Sequence, residues 1–173
     1  TDHIQQILDS NGAIKSSSKV IEERVFLEVK DKSEIAYIKG VEHNYTKITQ
    51  IDAALVQGNW LDTTFVNTAV IGRSIAYKLS LGMGSFEAPL QIMVPKPGIG
   101  FINPNNAFYK TNVQIVGLYS GTEEFESKFV FVTLAQAKKL LRFNDNQVTA
   151  FEMKLKEDVN AHTFAEEMQK ELG

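Results

Sequence analysis

The alternation of apolar and polar positions predicts short strands and helices in mixed order. His3 to Asp9 sets Ile4, Ile7 and Leu8 at i, i+3 and i+4, one stripe of a short helix that Asn11-Gly12 ends. From Lys19 to Val29, the residues Val20, Ile21, Val25, Phe26, Leu27 and Val29 predict a strand, and Asp31-Lys32-Ser33 turns it into a second over Glu34 to Lys39. Thr49 to Val56 reads as a short helix and Gln57-Gly58-Asn59-Trp60 as a turn. Thr68 to Ile71 is an apolar strand, and Gly72 leads into a helix over Arg73 to Leu81 in which Ile75, Ala76 and Leu79 recur at helical spacing.

Further strands are predicted at Pro89 to Val94, Asn112 to Tyr119, Phe129 to Val132 and Val148 to Leu155, the last turning Phe151, Met153 and Leu155 inward. Ser120 to Glu124 reads as a polar connection. Thr133 caps a helix with Leu134, Ala137, Leu140 and Leu141 on one side, and a final helix from Asn160 carries Phe164, Met168 and Leu172 at i, i+4 and i+8. The pattern has no fixed-period repeat, and its class is α+β with mixed sheets.

Composition narrows the partners. The 173 residues, 43% of them hydrophobic, suffice for one domain or two small lobes. With 18 Lys and Arg against 21 Asp and Glu the net charge is -3, which argues against a general nucleic-acid binder. The absence of cysteine excludes thiolate catalysis, Cys-ligated zinc and disulfides. Apolar runs such as Leu90 to Val94 fall far short of the roughly 20 residues that cross a bilayer. The chain opens at Thr1-Asp2-His3 without Met and stops at Glu171-Leu172-Gly173, which reads as an excised or processed piece.

Catalytic signals are absent from the pattern. His3, His43 and His162 fall in three different elements, without a paired ligand motif. Gly98-Ile99-Gly100 lacks the third glycine and the following helix of a phosphate cradle. Glu123, Glu124 and Glu126 read as a solvated charge run, and no serine sits in a nucleophile elbow. No catalytic, cofactor-binding or metal-binding residue is therefore nominated.

The unusual stretch is Pro95 to Lys110, which holds three of the four prolines and also Ile99, Phe101, Ile102, Phe108 and Tyr109. Solvent loops are ordinarily polar. Either a projecting hairpin presents Pro97, Ile99, Phe101, Ile102, Pro104, Phe108 and Tyr109 to a protein or lipid partner, or these side chains fold back over the domain's own core.

The segment Leu55-Val56-Gln57-Gly58-Asn59-Trp60-Leu61-Asp62, followed by Ala69-Val70-Ile71-Gly72-Arg73-Ser74-Ile75-Ala76-Tyr77-Lys78-Leu79, resembles the extracytoplasmic core domain of MacB-type ABC transporter permeases. A second block, Val113 to Tyr119, Phe129 to Val132, Thr133 to Arg142 and Val148 to Leu155, is most similar to the lipoprotein-releasing, LolC/LolE-like permeases. The resemblance implies a domain inserted between two membrane helices of an inner-membrane permease and exposed to the periplasm. It implies two α/β lobes, residues 1–54 with 127–173 nearer the membrane and an inserted 55–126 carrying the 95–110 loop. The implied domain is non-catalytic, with ATP hydrolysed by a separate ATPase subunit. It would work beside a second permease subunit, with a periplasmic lipoprotein carrier or lipoprotein cargo as partner. A soluble ligand- or protein-binding module is the alternative. If the chain is an inserted domain, its first and last helices should lie together and the 95–110 loop should stand away from them.

Overall fold

The computed structural model describes residues 2–82, 88–98, 103 and 106–172. The chain runs α1 (Asp2–Ser10), β1 (Ile14–Val29), β2 (Lys32–Val41), a single-turn α2 (Thr46–Thr49), β3 (Leu55–Gly58), β4 (Thr68–Gly72), α3 (Arg73–Leu79), β5 (Leu90–Pro95) and β6 (Phe108–Tyr119). A single-turn α4 (Glu123–Glu126), β7 (Phe129–Thr133), α5 (Leu134–Leu141), β8 (Ala150–Leu155) and α6 (Ala161–Leu172) complete it.

The backbone pairings form a ring. β1 pairs β2 antiparallel, β2 pairs β7 parallel, β7 pairs β4 antiparallel, β4 pairs β6 parallel, β6 pairs β5 antiparallel, and β5 returns antiparallel to β1. Six strands thus close into a small barrel, and closure removes the exposed edges an open sheet would carry. β8 pairs the first part of β1, from Ile14 to Val20, and β3 pairs the end of β6. Strands from residues 1–54, 55–126 and 127–173 therefore share one mixed sheet, joined along β4–β7 and β1–β5.

The ring has an internal two-fold plan. Exchanging β1 with β5, β2 with β6 and β7 with β4 leaves every pairing and direction unchanged. Each half is a hairpin followed later by a strand that runs straight into a helix: β1–β2 with β4–α3, then β5–β6 with β7–α5. Because β4 and β7 are antiparallel, α3 and α5 leave at opposite ends and close them.

Alternate ring residues point inward, as the two-residue period of a strand requires. Val25, Leu27 and Val29 of β1, Ile92 and Val94 of β5, and Val130 and Val132 of β7 meet Ile75, Ala76 and Leu79 of α3 and Ala137 and Leu140 of α5 in one buried cluster. Fully burying each of the Val, Leu and Ile side chains contributes about 1.5–3 kcal/mol. A second cluster covers the outer face of β4 and β7. There Phe131 is fully buried against the rings of Trp60 and Tyr119, with centroids at 5.2 and 5.4 Å. Outside the ring, the Lys39 ammonium meets Glu152 of β8 at 2.5 Å and Glu22 of β1 at 3.6 Å, above the Phe129 ring. The Tyr45 hydroxyl donates to the same Glu152 at 2.8 Å, fastening β8 to the barrel.

Three sequence expectations change. β1 begins at Ile14 instead of Lys19: the polar run Lys15-Ser16-Ser17-Ser18 hides a strand that β8 completes through the backbone. Thr49 to Val56 is not a helix. Gln50 takes a left-handed φ of 54°, a 3-10 turn over Ile51–Ala54 follows, and β3 begins at Leu55. Glu126 is not part of a solvated charge run. It is buried in α4, which begins inside the Ser120 to Glu124 stretch read as a polar connection, and its carboxylate accepts hydrogen bonds from Ser74 Oγ at 2.8 Å, Ser120 Oγ at 2.9 Å and the Gly121 N–H at 3.2 Å. Bonds from the two serine hydroxyls hold this carboxyl below the usual carboxylate range.

Candidate partner-binding hairpin

The 95–110 excursion begins as the stem of the β5–β6 hairpin. Pairing runs from Leu90 opposite Val113 to Pro95 opposite Phe108, and the Lys96 N–H donates to the Ala107 carbonyl at 2.8 Å. Proline at 95 ends β5, since Pro lacks the N–H a continuing ladder needs. The Asn106 N–H donates to the Asn103 carbonyl at 2.8 Å, and the Lys96 ammonium donates to the Asn106 side chain. Of the seven residues nominated from sequence, Pro97, Phe108 and Tyr109 are placed here, while Ile99, Phe101, Ile102 and Pro104 lie outside the described residues.

Pro97 is exposed, and Phe108 and Tyr109 are half-buried. The Phe108 ring meets Phe26 of β1 edge-on, with centroids 5.8 Å apart and planes at 86°. Tyr109 has the Lys96 ammonium and the Arg142 guanidinium each 5.3 Å from its ring centroid. A groove of about 500 Å³ runs along the foot of the hairpin, lined mainly by the apolar surfaces of Phe26, Val94, Pro97, Tyr109, Leu141 and Phe143. Its shape and lining suit an apolar side chain or a short apolar peptide.

The terminal helices form a separate feature. Leu8 of α1 packs with Phe164 and Met168 of α6, and the Asn11 amide reaches Met168 Sδ at 3.6 Å. Ile4 and Leu172 line the same apolar groove, so the start of α1 and the end of α6 lie side by side. The hairpin stem lies against β1 with Met93 opposite Phe26, whereas Ile14 lies opposite Leu155. The strand between Ile14 and Phe26 spans at most about 40 Å. Among the described residues, no helix is long and apolar enough to cross a membrane, and no three metal-ligating side chains converge.

Sequence reasoning missed a second apolar projection. Phe65 and Val66 stand 64% and 77% exposed between β3 and β4. The Asp62 carboxylate, just before them, accepts from the Thr64 N–H and hydroxyl, both at 2.8 Å. Those two bonds hold Asp62 below the usual carboxylate range and fix the turn. The available signal was the apolar pair itself, set between Thr64 and Asn67.

No family profile matches the sequence, and no curated protein matches it. Solved structures do. The periplasmic region of MacB from Actinobacillus actinomycetemcomitans superposes with a TM-score of 0.60 at 18% identity, over 96% of this chain and 69% of that one. The fold is that of the MacB periplasmic region. The extracellular domain of the noncanonic ABC-type transporter YknZ from Gram-positive bacteria gives a TM-score of 0.65 at 10% identity, over 96% of this chain and 76% of that one. A domain of a candidate permease from Porphyromonas gingivalis gives 0.55 at 15% identity, over 96% and 74%. The MacB-type resemblance read from Ile71-Gly72 and the second block therefore holds at the level of fold. The narrower likeness to lipoprotein-releasing permeases has no counterpart among these three.

Proposed function

We propose that the chain is the extracytoplasmic domain of an ABC transporter permease, and that it passes ATP-driven movement to a carrier or cargo without catalysing a reaction itself. The observation that carries this reading is the likeness to MacB and YknZ along 96% of the chain. The terminal helices support it, because α1 and α6 pack together with the start of one beside the end of the other, as an insertion between two membrane helices requires. ATP would be hydrolysed by a separate subunit, a second permease subunit would complete the membrane pore, and the domain would stand in the periplasm on the inner membrane. The lobes assigned to 1–54 with 127–173 and to 55–126 then meet along β4–β7 and β1–β5, and move as a body.

Within this reading the β5–β6 hairpin is the contact for a periplasmic lipoprotein carrier or its lipoprotein cargo, with Pro97, Ile99, Phe101, Ile102, Pro104, Phe108 and Tyr109 as the contacting residues. Support comes from the paired stem and the apolar groove at its foot. Two tests separate the levels of the claim. Apolar stretches of about 20 residues on both flanks of the parent gene support the permease reading, and their absence favours a soluble binding module. Replacing Phe101 and Ile102 by Asp should preserve the unfolding temperature yet abolish capture of the purified carrier. Undiminished capture by the folded variant rejects the hairpin as the contact.

A further inference from the structure

Asn11-Gly12 is the one Asn-Gly step in the chain, and it lies in the turn between α1 and β1. Such a step holds its own electrophile and nucleophile, the side-chain amide carbon of Asn and the main-chain nitrogen of the residue after it. The fold sets both in place. The Asn11 side-chain oxygen accepts from the Ala13 N–H at 3.0 Å, an Asx turn that folds the amide back over the Gly12 peptide. That bond also draws electron density from the amide carbon and stabilises an oxyanion formed on the same oxygen. The amide nitrogen, the group that would leave, donates to the Met168 thioether, a weak acceptor, at 3.6 Å. Gly12 leaves the approach open. It is exposed, no hydrogen bond among the described residues engages its N–H, and nothing lies within 4 Å of where a Cβ would stand.

We infer that Asn11 is a site of spontaneous deamidation in the folded domain, and that its conversion loosens α1 from α6. The Gly12 nitrogen gives its proton to hydroxide and bonds to Asn11 Cγ. The Cγ–Nδ2 bond then breaks, and the nitrogen takes a proton from water and leaves as ammonia. The five-membered imide adds one water and opens at either carbonyl, to aspartate or to isoaspartate, with no oxidant or reductant involved. Either product sets a carboxylate where the amide met Met168, so a donor is lost and a charge stands beside the apolar cluster of Leu8, Phe164 and Met168. That charge also falls just past the C-terminal end of α1, where the helix dipole disfavours an anion. Isoaspartate further adds a methylene to the main chain and removes from it the Asn11 carbonyl that accepts from the Ile14 N–H at 3.2 Å. The site does not depend on the transporter reading.

The experiment ages the folded chain in mildly alkaline buffer beside a urea-unfolded sample. Each asparagine is followed by peptide mapping with mass spectrometry, which reads the exchange of the amide nitrogen for oxygen. In the folded chain Asn11 should convert before every other asparagine, faster as pH rises, and to two separable products, aspartate and isoaspartate. Gly12→Ala keeps the fold, since its added Cβ meets nothing within 4 Å. It should slow conversion about tenfold or more, because a methyl group beside the attacking nitrogen adds about 1.4 kcal/mol or more to the barrier. Hydrogen exchange of Asp2–Ser10 and Ala161–Leu172 should accelerate in the aged chain and in Asn11→Asp, which carries the charge on an unaltered main chain. An Asn11 that stays intact in the folded chain while the unfolded one reacts would overturn the site. So would earlier conversion of another asparagine, or an undiminished rate in Gly12→Ala. Unchanged exchange of both helices after conversion would overturn the loosening.

Discussion

At Gly72 a single added methyl group should unfold a large part of the domain's stability. The backbone there is ordinary, with φ -68° and ψ 146°, so a side chain meets no conformational strain. The obstacle is α4. A Cβ at this position would lie 1.8 Å from the Glu126 carbonyl oxygen and 2.5 Å from its carbon, both main-chain atoms that no rotamer change can move. Contact at normal van der Waals distance requires α4 to retreat by about 1.6 Å. Overpacking of this kind costs about 1–3 kcal/mol. The retreat also pulls the Glu126 carboxylate from Ser74 and Ser120, and hydrogen bonds to a charged group contribute about 1.5–3 kcal/mol each. Against this, replacing glycine by alanine restricts the unfolded chain and returns about 0.4–1 kcal/mol. The lower ends of these ranges leave a net loss of at least about 3 kcal/mol for Gly72→Ala. At a urea m-value of about 2 kcal/mol/M, the midpoint should fall by at least about 1.5 M. Gly12→Ala is the control: nothing lies within 4 Å of its added Cβ, and its midpoint should stay near that of the unaltered chain. A Gly72→Ala chain as stable as the control would refute the steric argument.

Glu126 titrates lower when folded than when unfolded, so its stabilising effect is complete above the ordinary carboxylate value of 4.5 and disappears as pH falls through the folded value. The unfolding temperature should therefore fall less steeply below pH 4.5 in Glu126→Gln than in the unaltered chain, and parallel profiles would count against a charged, hydrogen-bonded Glu126. Lys39→Met removes the cation that Glu22 and Glu152 share, and should cost about 1–3 kcal/mol because those carboxylates are partly hydrated. Hydrogen exchange should accelerate first along Ala150–Leu155, and unchanged protection of β8 would show that Lys39 does not fasten it.

Local structure was legible wherever a residue's neighbours in sequence determine it. Thr133 caps α5 as expected, its Oγ1 accepting from the Gln136 N–H at 3.3 Å, and the Ile75, Ala76 and Leu79 stripe faces the core. Ring closure was not legible, because Tyr37 pairs with Phe129 and Thr68 with Gln114, partners that no short-range pattern connects. The serines of β1 concealed a strand whose pairing uses only main-chain atoms. Gly72 was visible as punctuation between strand and helix, but its reason is the approach of α4 from more than fifty positions away. At the candidate site, the aromatic and proline content singled out the excursion, whereas its stem was hidden because Phe108 to Thr111 lies next to proline and asparagine signals.

The two-fold plan of the ring carries a consequence for how the domain can be assembled and cut. Severing the chain between Leu79 and Leu90 would leave two fragments that each retain one hairpin and two lone strands, with every parallel partner on the other piece. Neither fragment is a folding unit by itself. The two are complementary clasps, and a force applied at the termini reaches the far hairpin through cross-braced strands with no seam at which the load could be lost.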